Sequence, residues 1–176
     1  MSQHMATTPN SGAPQQVRVD TGGKTGIFRL LEDHYAVHGL DPAAADGSAF
    51  LLLEDGTVAV YRNDLEQGAT PLGRPRGPKG SRIGPVYTVE PGGGIAVPTG
   101  RILVRFRERE LAADHGTDLR RASFAVEEIL PYAPHAAWVR PIDGSIGTAL
   151  RTFETLAKLP GVEHVEPQLL MKSVRR

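Results

Sequence analysis

From Ser145 to Glu166 the chain spells a helix, a stop and a strand with no spacer, and this run constrains the fold more than any other. Ile146, Ala149, Leu150, Phe153, Leu156 and Ala157 recur at helical spacing and form one apolar stripe. Ser145 stands where an N-cap hydroxyl accepts from the first free N–H groups of a helix. Glu154 and Lys158 lie four residues apart in the favourable order on the wet side. Pro160-Gly161 stops the helix, and Val162 to Glu166 reads as a strand. A helix that turns straight into a strand lies back across the sheet which that strand joins.

The residues before this run alternate between the same two periods. In Arg101-Ile-Leu-Val-Arg-Phe-Arg107, Ile102, Val104 and Phe106 face one way and Arg101, Leu103, Arg105 and Arg107 the other. From Asp118 to Leu130 the spacing turns helical. Leu119, Ala122, Val126, Ile129 and Leu130 share a face, Thr117 is placed to cap, and Pro131 ends the segment. His135 to Arg140 reads as a short strand carrying Trp138 and Val139. The expected order is strand, helix, strand, helix, strand, with room for a further edge strand in the tail. Two amphipathic helices cover one sheet face and leave the other open. A ferredoxin-like split βαβ arrangement satisfies the pattern.

The first half is patterned differently. Residues 1–16 are polar and aperiodic, a composition that buries too little surface to order itself. Residues 17–97 read as a small β-rich module. Two β-prone runs between Ser48 and Tyr61 flank Asp55-Gly56, a dipeptide suited to a hairpin turn. Gly26-Ile-Phe-Arg-Leu-Leu and Pro85-Val-Tyr-Thr-Val are further strands, and Glu90-Pro91-Gly92-Gly93-Gly94 is a turn or linker. Residues 100–176 form the second part. The fold class is α+β.

Composition excludes several chemistries. There is no cysteine, hence no disulfide, zinc–thiolate site or cysteine nucleophile. Lys+Arg and Asp+Glu are each 20, so no global field draws the chain to nucleic acid or to an anionic membrane. Pro71 to Arg82 mixes Pro, Gly and cations, but without aromatics to stack bases it reads as a solvated loop. Neither a secretory h-region at the start nor a run of ~20 apolar residues is present, so a soluble protein is expected, with the cytoplasm slightly favoured.

The C-terminal pattern resembles the propeptide (I9-type inhibitor) domain of subtilisin-like serine proteases. The resemblance rests on the opening strand Gly100-Arg-Ile-Leu-Val-Arg-Phe106 and the closure Leu156-Ala-Lys-Leu-Pro-Gly-Val-Glu-His-Val-Glu-Pro167, and it covers 100–176. It implies a partner, a subtilisin-like serine protease, which such a domain inhibits and helps to fold. It also implies that the open sheet face docks on two protease helices, with Glu166 capping a helix N-terminus. The family often has a second acid shortly after this one, where Gln168 stands here. The tail is then expected to enter the active-site cleft as an extended strand. One register puts Met171, Lys172, Ser173 and Val174 in the cleft with Arg175 and Arg176 overhanging. Shifted registers use Leu169 or Leu170 as the apolar anchor, or put Arg176 in the primary pocket. The alternatives are a non-inhibitory scaffold module of the same fold, or the front of a longer protease.

No active site is expected in the chain itself. Thr21-Gly22-Gly23-Lys24-Thr25 lacks the first glycine of a phosphate-binding loop, where Arg18 stands. His34 and His38 have the i,i+4 spacing that places two imidazoles on one helical turn for a metal, but no third ligand is evident and surface histidines are expected. No Gly-x-Ser-x-Gly elbow occurs, and Gly144-Ser145 reads as a helix cap. Trp138 is read as a core or sheet-face residue. No cofactor and no metal is expected.

Overall fold

A computed structural model describes residues 10, 12–21, 23–44, 49–62 and 80–172. The strands are β1 (Gln16–Thr21), β2 (Lys24–Leu30), β3 (His34–His38), β4 (Leu51–Leu53), β5 (Val58–Arg62), β6 (Arg82–Gly84), β7 (Tyr87–Glu90), β8 (Ile95–Phe106), β9 (Phe124–Leu130), β10 (Ala133–Pro141) and β11 (Val162–Met171). Helix α1 (Gly116–Arg121) precedes β9, and α2 (Ile146–Leu156) precedes β11. Among the described residues the molecule is an α+β protein of two antiparallel sheets.

The long strand β8 organises the larger, seven-stranded sheet, whose order is β1-β2-β7-β8-β10-β9 with β11 also on β8. β11 follows one edge of β8 from Phe106 back to Ala96. The other edge is shared: β7 pairs with Ile95 and Ala96, and β10 pairs with residues 102–105. The changeover falls at Gly100, which takes φ 83. An added Cβ there would lie 3.2 Å from Ile146 Cγ1 and 3.3 Å from Arg140 Nη1, so the backbone angle favours glycine and a side chain would also be crowded. β8 therefore spans the boundary expected between 97 and 100.

The alternation read in β8 is borne out. Ile102, Val104 and Phe106 are fully buried, while Arg101 and Leu103 are half-buried and Arg105 exposed. α2 supplies the cover through Ile146, Ala149, Leu150, Phe153 and Leu156. Ala157, placed on the same stripe, is exposed beyond the helix end. Ser145 caps α2 as expected, its side chain accepting from Thr148 N–H at 3.1 Å. Val17, Val19, Phe28 and Tyr87 from the first half join this same core.

The helix expected over residues 118–130 is corrected. α1 ends at Arg121, Ser123 takes φ 66, and Phe124–Leu130 is strand β9, hairpinned to β10. Thr117 lies inside α1 and caps nothing; His115 holds the N-cap position. The β-branched and aromatic residues Phe124, Val126 and Ile129 fit a pleated surface, and pairing with β10 overrides a spacing that also fits a helix. The observed order after Gly100 is thus strand, helix, strand, strand, helix, strand.

The smaller sheet has the order β4-β5-β3-β6. The expected hairpin around Asp55-Gly56 is present, with a 3-10 turn over Glu54–Gly56 in place of a two-residue turn. Ala36, Leu53, Val58, Val60 and Val86 pack against Val97 of β8 and Leu170 of β11. Residues 1–9 and 11 of the N-terminal segment, and 71–79 of the basic loop, lie outside the described residues. Residues 12–15 are held down: Arg151 donates to the Gly12 carbonyl, and the Tyr87 hydroxyl to the Pro14 carbonyl at 2.8 Å.

Candidate protein-docking face

The sheet face opposite α2 carries the side chains that β8, β9, β10 and β11 turn away from the core. Pairing sets Leu103 beside Trp138 on one side and Glu166 on the other. Arg101 lies over the Trp138 ring, 4.9 Å from its centroid, and reaches Glu127 at 3.2 Å and Glu128 at 2.8 Å. Arg140 pairs with Glu127 at 3.3 Å and donates to the Thr99 carbonyl at 3.0 Å. Arg101 of β8 and Arg140 of β10 are therefore matched by acids of β9. Partly exposed pairs of this kind add little stability, but they fix the side chains of the face in place.

Glu166 Oε2 is hydrogen-bonded to His164 Nε2 at 3.1 Å, and its side chain keeps 30% of its surface exposed. Gln168, two residues on, is bound within the molecule. Its Oε1 accepts from the buried Thr99 hydroxyl at 2.8 Å, and the same hydroxyl accepts from Arg101 N–H at 3.1 Å. This pair bridges the register shift between Pro167 and Leu169, opposite the Gly100 changeover.

Beside Glu166 the surface sinks into an open cleft of about 240 Å³. Leu103 and Trp138 contribute from the open face, Leu169 and Met171 from β11, and Val19 and Phe28 from the β1–β2 hairpin.

The expected contact residues fall into three groups. Glu166 lies on the open face, as the pattern of β11 implies. Leu169, Leu170 and Met171 remain in β11, paired with Pro98, Val97 and Ala96. Leu169 and Leu170 pack against the two cores of the chain, whereas Met171 is exposed and Lys172 follows the strand end. Ser173, Val174, Arg175 and Arg176 lie outside the described residues.

The remaining candidates resolve simply. Thr21 and Lys24 are paired ends of the β1–β2 hairpin, so that glycine run joins strands and opens no helix. His34 and His38 lie on one extended strand, ~13 Å apart along it, too far to share a metal. His34 Nδ1 bonds Asp33 at 2.7 Å, and that bond holds the Asp33 carboxyl below its ordinary range. His38 is 5% exposed, and its Nε2 has no hydrogen-bond partner among the described residues. Burial first, then Arg82 and Arg140, lowers its pKa to about 4. Among the described residues no group of three or more His, Cys, Asp or Glu is placed to hold a metal, and no helix is long and apolar enough to cross a membrane.

Sequence reasoning did not find the cleft. Leu103 and Trp138 were legible as sheet-face residues, but Val19 and Phe28 come from a hairpin far away in the chain. Comparison with protein-family models, curated proteins and solved structures gives no match.

Proposed function

We propose that this protein is a propeptide-like inhibitor of a subtilisin-like serine protease, with its C-terminal part a ferredoxin-like domain. The antiparallel order β11-β8-β10-β9, with a helix after β8 and another after β10, supports that fold. The observation that carries the functional reading is the position of Glu166. It projects a partly exposed carboxylate from the uncovered face, on the strand that leads directly into the C-terminal tail.

A carboxylate there accepts from the free N–H groups at the start of a protease helix, where the helix dipole also favours negative charge. The tail enters the cleft as an added strand, gaining main-chain hydrogen bonds. Since Leu169 and Leu170 serve the chain's own cores and Met171 is still paired with Ala96 in β11, the inserted part is Lys172 onward. Five extended residues, 172–176, reach roughly 17 Å, enough to line the subsites before a scissile bond.

Titration into a panel of subtilisin-type proteases, with peptide turnover as the readout, tests this. Saturable inhibition that is lost on deleting residues 172–176 from a still-folded protein is the expected result. A folded protein that inhibits none of them overturns it. Binding without inhibition identifies a scaffold.

A further inference from the structure

We propose that the cleft beside Glu166 receives one apolar side chain of the partner protease, projecting from the first turn of the helix that Glu166 caps. This rests on the inhibitor reading above and adds to it a recognition role for the N-terminal half of the chain. Three observations point the same way. The volume, about 240 Å³, lies below the range of ordinary small-molecule pockets and suits a single side chain. The walls are mostly apolar, from Val19, Phe28, Leu103, Trp138, Leu169 and Met171, with Gln168 a neutral polar side chain among them, so the cleft rewards burial of hydrocarbon.

The third observation selects the partner's chemistry. Among the described residues Glu166 is the single charged one lining the cleft, and it is negative. An occupant has to bring hydrogen-bond donors to the carboxylate and an apolar group to the walls a few ångströms away. An anionic ligand fails the first requirement. The first turn of a helix meets both, because its leading N–H groups are unpaired and its side chains stand beside them. The β1–β2 hairpin closes the side of the cleft that the C-terminal strands leave open, so the docking surface is a joint product of both halves of the chain.

Trp138 is the sole tryptophan, so replacing it biosynthetically with 5-fluorotryptophan gives one fluorine signal inside the cleft. The full-length protein is titrated with a panel of subtilisin-type proteases blocked at the catalytic serine. Inhibition of the unblocked enzymes is measured for wild type, Leu103→Glu and Met171→Glu. The second variant, at an exposed position, serves if the first does not fold. The expected results are a shift of the Trp138 signal that saturates at one equivalent, and inhibition weakened roughly tenfold to a hundredfold by either charge.

Undiminished inhibition by the folded variants, with the Trp138 signal unmoved, overturns the cleft's role while leaving the inhibitor reading intact. A signal that responds to hexylamine but not to protease makes the cleft a small-molecule site and also overturns it. Wild-type protein that inhibits no protease removes both readings, and does so before any variant is compared.

Discussion

Gly100 shows how one residue carries a change of partners. β8 leaves β7 for β10 at φ 83, with Ile146 and Arg140 packed where a side chain would go. Gly100→Ala is expected to cost about 2 kcal/mol or more, since an L-residue in this region is strained by ~1–2 kcal/mol before any clash is counted. A urea unfolding midpoint reads the loss. His38 supplies a second residue-scale prediction. Its pKa falls from 6.5 to about 4 on folding because burial disfavours the charged ring and Arg82 and Arg140 repel it. A base with a depressed pKa gives full stability above about pH 6.5 and loses it as pH drops towards 4; below that the loss levels off. The difference corresponds to roughly 3 kcal/mol. Unfolding measured from pH 7 to pH 4 should show this fall, and His38→Gln should flatten it.

At the scale of elements, what was legible depended on whether local pattern and tertiary pairing agreed. The alternation of Ile102, Val104 and Phe106 and the stripe of α2 each have one burial solution, and both were readable. Residues 118–130 satisfy two periods at once, and the hairpin with β10 decided between them through contacts that spacing does not record. Glu166 was legible only through the family resemblance, by register with the closing motif of that pattern. The intramolecular use of Gln168 was not, because Thr99 lies 69 residues away. The cap of α2 gives the prediction for this scale. Ser145 accepts from Thr148 N–H, and Asp143 accepts from Ser145 N–H at 2.9 Å and from the Thr148 hydroxyl at 2.8 Å. Ser145→Ala is expected to cost about 1 kcal/mol, measurable as a lower thermal midpoint without loss of helical signal at 20 °C or so.

Across the whole molecule, the two halves share their cores. Residues 169–171 of β11 pair with residues 96–98, and Val17, Val19, Phe28 and Tyr87 complete the core under α2. A fragment of residues 100–176 should therefore melt well below the intact chain or fail to unfold cooperatively. A fragment that keeps the full midpoint would contradict this view of the sheet. Composition concealed the sharing, since the first half reads as a self-contained β module and its contribution to the cleft depends on packing between distant strands. The central claim is that the open face and tail together bind a protease. Calorimetric titration of the full-length protein into a cognate subtilisin-type protease, free and then blocked at its serine, tests it most directly. The account predicts one-to-one binding to both forms, weakened roughly 2- to 30-fold by Glu166→Ala. No binding to either form by the folded protein would contradict it.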